Sequence, residues 1–172
     1  MTERGSAVLI GIGNSYRRDD GIGQAVVGAI SEIGPAGVSL IASDGEPTAL
    51  IEAWTGVEHV VLVDAVSGSQ AASAGETGPG GEAVPGRIHR RVLVPTDLAR
   101  AASWPLPAAA SSHRMGVADA LWLASAMDRL PRRLVAFGVE AADTGFGPGL
   151  SPAIAAALPG LVQAVLAELA VS

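Results

Sequence analysis

Residues 7–23 constrain this chain more than any other stretch: Ala-Val-Leu-Ile-Gly-Ile-Gly-Asn-Ser-Tyr-Arg-Arg-Asp-Asp-Gly-Ile-Gly. Ala7 to Ile10 is an apolar run with the length and β-branched content of a buried parallel strand. Gly11 and Gly13 interrupt it, and Asn14 and Ser15 continue as a tight polar turn. Asp19 and Asp20 follow, then Gly21-Ile22-Gly23 and a helical pattern of Ala25, Val26, Ala29, Ile30 and Ile33. The passage reads strand, glycine loop, paired carboxylates, helix.

A dinucleotide fingerprint shares the Gly11-x-Gly13 spacing after a strand, but Tyr16 stands where its third glycine belongs. A pyrophosphate needs the bare, positive end of a helix. Asp19 and Asp20 at that end would repel it and satisfy the free amides as caps. The plainest alternative makes Asp20 an N-cap and nothing more. It leaves unexplained why two adjacent carboxylates follow a glycine loop, an arrangement suited to a cation or to proton transfer.

At 172 residues the chain fits one domain, with 67–86 as a flexible loop rich in Gly, Ser, Ala and Pro. No apolar run approaches the ~20 residues of a membrane span, and Met-Thr-Glu-Arg-Gly-Ser leads into a strand and not a signal-peptide core. A cytoplasmic protein without membrane attachment is expected. The absence of cysteine excludes thiol nucleophiles, zinc fingers and disulfides. A net charge of −6 argues against a nucleic-acid binder. All basic residues are arginine, which excludes Schiff-base and P-loop lysine chemistry.

Further along, a helix is expected over 21–33, stopped by Gly34-Pro35. A strand over 37–42 and a helix over 48–55 follow. The clearest strand is 58–65, ending Leu-Val-Asp-Ala. Residues 87–94 alternate as an edge strand does, and Thr96-Asp97 starts a short helix to Ser103. A helix over 115–129 shows Met115, Ala118, Leu121, Trp122 and Met127 on one face. A last strand over 134–139 and a final helix from Ser151-Pro152 to Ala170 complete an α/β pattern with a largely parallel sheet.

In open α/β sheets ligands sit beyond the carboxyl ends of the strands. Asp20, Asp44, Asp64 and Glu140 each follow a strand, and His113 lies in the loop before the helix that precedes the last strand. Asp20, Asp64 and His113 together would offer two carboxylates and an imidazole, with open positions suited equally to Zn, Ni or Fe(II). His59 and His89 read as surface or structural, and Asp119 as solvated. A serine hydrolase is disfavoured, because no G-x-S-x-G elbow occurs.

These motifs, in order, resemble the maturation endopeptidases of nickel–iron hydrogenases. The resemblance rests on Gly11-Ile12-Gly13-Asn14 with Asp19-Asp20-Gly21-Ile22-Gly23, Asp44-Gly45, Leu62-Val63-Asp64-Ala65, Ser112-His113 with Gly116-x-x-Asp119, and the strand and helix that close the chain. It implies a three-layer αβα sandwich around a twisted, mostly parallel five-stranded sheet with helices on both faces. It also implies removal of a C-terminal extension from a hydrogenase large-subunit precursor after nickel insertion. By the same resemblance Asp20, Asp64 and His113 contact the metal and carry catalysis. Nickel then comes with the substrate, no tightly bound resident cofactor is expected, and the protein acts as a monomer. The competing expectation is a non-catalytic metal- or nucleotide-binding α/β module. An O,O,N site could use nickel as a handle without outcompeting the precursor's thiolates.

Overall fold

The computed structural model describes residues 6–66, 83–93 and 116–171. Five strands, β1 (Ala7–Ile12), β2 (Val38–Ser43), β3 (His59–Val66), β4 (Ile88–Leu93) and β5 (Arg133–Glu140), form one sheet. The order is β2-β1-β3-β5-β4. β1, β2, β3 and β5 run parallel, and β4 pairs antiparallel with β5 at one edge. The helices are α1 (Ile22–Ile33), α2 (Pro47–Trp54), α3 (Val117–Ala126) and α4 (Pro152–Leu169).

The alternation of strand side chains assigns the layers. Val8, Ile10, Val60, Leu62, Val66 and Leu134 face α2 and α3, packing on Leu50, Trp54, Ala120 and Leu121. Leu9, Val61, Val63, Val135 and Phe137 face α1 and α4, packing on Ile22, Val26, Ile30, Ile154 and Val165. β3 is central and buried along its whole length, as its unalternating apolar sequence requires. The result is the expected αβα sandwich.

The glycines of the first motif have steric jobs. A Cβ on Gly23 would come within 2.6 Å of the Val63 carbonyl oxygen, and one on Gly11 would strike the Gly23 carbonyl. The start of α1 therefore lies directly on the backbones of β1 and β3. Gly13, at φ +131°, turns the chain beneath Asp20, a conformation that L side chains rarely adopt.

Two expectations need correction. On α3 the buried residues are Val117, Ala120, Leu121 and Ala124, whereas Trp122 and Met127 are exposed. The helix is apolar nearly all round, so periodicity gave the wrong face. α4, at 18 residues with mean hydropathy 1.6, is long and apolar enough by composition to cross a membrane. In the fold its buried stripe lies on the sheet, and its Glu168 carboxylate accepts hydrogen bonds from Arg90 (2.6 Å) and Arg133 (2.7 Å). Burial pushes the Glu168 carboxyl up, but these two guanidiniums outweigh it and hold the group below its ordinary value. The expected helix over 96–103 and most of the 67–86 loop lie outside the described residues.

Candidate functional site

β1 ends at Ile12, and the chain turns through Asn14 and Ser15 into a short 3-10 helix, Arg18–Gly21, before α1. Both acids of the pair sit on that turn and both are buried, yet they do different things.

Asp19 is a clamp. Its carboxylate accepts from the amides of Ala142 (2.9 Å), Asp143 (2.8 Å) and Ser151 (2.6 Å) and from the Ser151 hydroxyl (2.9 Å). Burial alone would raise its pKa, but the hydrogen bonds from Ser151, Asp143 and Ala142 together hold it below the ordinary value. A carboxylate satisfied by several backbone amides is strongly favoured in its charged form. Arg18 reinforces the join: its amide donates to the Gly147 carbonyl (2.9 Å) and its guanidinium pairs with Asp143 (3.2 Å). The loop after β1 and the loop after β5 are thus one unit. Replacing Asp19 with Ala removes the charged acceptor of three part-buried amide hydrogen bonds, each worth ~1.5–3 kcal/mol when the partner is ionised and less where water can replace it, so Asp19→Ala should lower stability by about 3 kcal/mol in urea unfolding. For wild type, this contribution is present above pH ~4 and is lost as pH falls through the depressed folded pKa.

Asp20 does not cap α1. No helix amide donates to its side chain; its Oδ2 accepts from the Asn14 amide at 3.0 Å. Burial raises its pKa, opposed by that amide and by the Arg17 charge. Asp64 lies near the carboxyl end of β3, 3% exposed, with Oδ1 lacking a hydrogen-bond partner among the described residues. Burial, then the Asp20 charge, push its pKa up to about 8, against the opposing Ala65 amide. A buried polar atom without a partner is uncommon in native proteins and calls for an explanation. Burial, and after it the Asp20 charge, thus favour the neutral, protonated form of Asp64.

The other expected rim residues fare differently. Asp44 is exposed in the turn between β2 and α2, where its Oδ1 accepts from the Glu46 amide at 3.1 Å. Glu140 reaches the rim but is already engaged. Its buried carboxylate holds His89 at 2.7 Å, Arg87 at 3.4 Å and the Val84 amide, fastening the approach to β4. His89 is structural, as expected, although it does lie at a strand end: β4 runs antiparallel, so its start faces the carboxyl end of β5. His59 is buried at the opposite end of β3, 3.4 Å from Glu168. Burial lowers its pKa despite that carboxylate. Asp119 is exposed and accepts from the Gly116 amide at 3.1 Å. His113 lies outside the described residues; of the other two, Asp20 and Asp64 stand at the same end of the sheet, near enough for the Asp20 charge to act on Asp64. Among the described residues no three His, Asp or Glu side chains are grouped as a metal site. Asp19 was missed as a positioning group, since its partners lie 123 residues or more away in sequence.

Comparison with known proteins bears on the same region. Residues 101–168 match the family model for hydrogenase maturation proteases (HycI). Over that stretch, less than half of the chain, the match agrees with the resemblance drawn from the motifs. The matched stretch contains the Ser112-His113 and Gly116-x-x-Asp119 motifs and the last strand, whereas the motifs at Asp20 and Asp64 lie outside it. No curated protein matches significantly. The fold is shared with solved structures. The hydrogenase maturating endopeptidase HybD from E. coli is 22% identical, with TM-score 0.72 over 95% of this chain and 91% of that one. The [NiFe] hydrogenase maturation protease HybD from Thermococcus kodakarensis is 20% identical, with TM-score 0.67 over 94% and 97%. The hydrogenase 2 maturation peptidase from a Thaumarchaeota archaeon is 23% identical, with TM-score 0.65 over 96% and 99%.

Proposed function

We propose that this chain is one peptidase domain that removes the C-terminal extension of a nickel–iron hydrogenase large-subunit precursor after nickel insertion. The observation that carries the reading is the buried pair Asp20 and Asp64 at the carboxyl rim of the sheet, with an Asp64 carboxyl oxygen that has no partner among the described residues. Similarity to hydrogenase maturation proteases supports the substrate class.

Asp20, held by the Asn14 amide, is the ionised member and the base for the attacking water. Asp64 carries a proton. His113, at the start of the segment leading to α3, is the third group. The precursor's nickel is substrate and serves as the handle that brings the scissile bond to these residues. Carboxylate and imidazole donors engage it without displacing the precursor's own ligands. Engagement of Asp64 by nickel would expel its proton, because metal ligands must be deprotonated. The protein works as a monomer in the cytoplasm, with no resident cofactor.

The test is to incubate the purified protein, without added metal, with nickel-loaded and nickel-free precursor and to weigh the products by mass spectrometry. A fixed C-terminal piece should leave only the loaded form. Equal cleavage of both forms would remove the nickel handle, and cleavage of neither would remove the peptidase.

A further inference from the structure

We infer that Tyr16 and Phe146 form a substrate subsite that grips an apolar side chain of the polypeptide close to the scissile bond. The inference rests on the peptidase reading above and adds to it the residues that set specificity.

The chain contains only one tyrosine and two phenylalanines. Phe137 is buried in the core, but Tyr16 is 75% and Phe146 87% exposed. Leaving large aromatic surface in water is unfavourable, and here both rings sit on the two loops that Asp19 clamps together. The loops meet backbone to backbone: the Gly147 amide donates to the Tyr16 carbonyl at 2.9 Å, and Arg17 bridges Gly147. The Arg17 guanidinium lies 5.5 Å from the centre of the Phe146 ring, a cation–π distance. It also donates to the Thr144 carbonyl at 3.4 Å. Arg18 donates to the Phe146 carbonyl, also at 3.4 Å.

This platform is continuous with the acid pair. The Tyr16 amide donates to Asn14 Oδ1 at 2.9 Å, and the Asn14 amide donates to Asp20 at 3.0 Å. One residue thus connects the aromatic rim to the proposed base. The rings stand on a hydrogen-bonded frame, so binding them orders little additional chain, and preorganised aromatic groups suit hot-spot contacts.

Charge selects the occupant. Asp143 meets the Arg18 charge, and Arg17 lies against Phe146 with Asp20 in its field. The two arginines of the platform stand against the three acids Asp19, Asp20 and Asp143, so it carries no excess positive charge that would call for an acidic segment. An extended polypeptide presenting an apolar or aromatic side chain fits it, with the main chain running past Asp20.

The experiment measures cleavage of nickel-loaded precursor by the full chain carrying Tyr16→Ser, Phe146→Ser or both, beside Tyr16→Phe and Phe146→Tyr. Each serine variant should raise KM about tenfold, the usual scale for losing an aromatic anchor, with kcat within about twofold. The conservative variants should restore KM. Precursor affinity is measured separately in the Asp20→Asn background, where Phe146→Ser should weaken binding by the same factor. An unchanged KM and Kd in a wild type that cleaves would overturn the subsite and leave the peptidase reading intact. Loss of a self-associated form on sedimentation, with KM unmoved, would assign the rings to a second copy of the chain and also overturn it. A wild type that neither binds nor cleaves precursor removes the peptidase reading and this inference with it.

Discussion

Asp64→Asn should make the metal-free protein progressively more stable than wild type as pH rises from about 4 to 8, while leaving it nearly unchanged, apart from a constant offset, below about pH 4. The folded protein keeps the Asp64 proton up to about pH 8, whereas the unfolded chain gives it up near the ordinary carboxyl value of 3.8. Between these limits the folded state binds more protons than the unfolded one, so raising the pH drains stability. The contribution of the protonated group is full below about pH 4 and is lost as pH passes through the folded value. One pKa unit corresponds to about 1.4 kcal/mol, so at most about 6 kcal/mol is at stake. An asparagine of similar shape cannot ionise and lacks this slope. At pH 9 the variant should melt several degrees above wild type, since ~1 kcal/mol moves Tm by roughly 2–4 °C in a protein of this size. Thermal unfolding at pH 4.5, 6, 7.5 and 9 measures the difference. Parallel pH profiles for the two proteins would show that Asp64 titrates normally. The same substitution should abolish processing, a trade of function against stability seen where active sites store unfavourable charge.

Asp20→Asn should reduce processing of nickel-loaded precursor by about 10³-fold or more, within the range expected for removing a general base together with a metal contact. Its fold should survive, because the Asn14 amide can still donate to the side-chain oxygen and no helix amide depends on that group. His113→Ala should cost as much if the imidazole contacts the metal. Circular dichroism would establish folding, and mass spectrometry of the precursor would establish the rate. Full processing by Asp20→Asn would move the base elsewhere, with Asp64 the first place to look.

The sequence disclosed the sheet where composition alone decides the matter. The run from Val60 to Val63 has no polar face, so β3 had to be central. Gly34-Pro35 could only end α1, and the left-handed conformation of Gly34 (φ +63°) closes that helix. The site was half legible for a related reason: an acid closing an apolar strand, as at Asp64, is visible locally. What escaped was whatever depends on a distant partner. Asp19 and Asp20 look equivalent in sequence, and only the loop over 142–151 separates clamp from candidate base. Glu140 looked free because His89 and Arg87, which capture it, approach along an antiparallel strand whose direction no periodicity reveals. The inward face of α3 was misread because alanines at 120 and 124 pack the interior while the larger Trp122 turns outward.

The Asp19 clamp also bears on the order of synthesis and folding. Its acceptor oxygens and the Ser151 donors stand 132 residues apart along the chain. While the ribosome is still adding the intervening segment, the first motif has its glycines and acids but nothing to hold them in position. Closing so long a loop carries an entropic cost before any contact offsets it, so the acid pair takes its working geometry only once the segment after β5 has emerged. On the proposed peptidase reading, a nascent chain would not act on a precursor early: competence to cut would arrive only with the segment that follows β5.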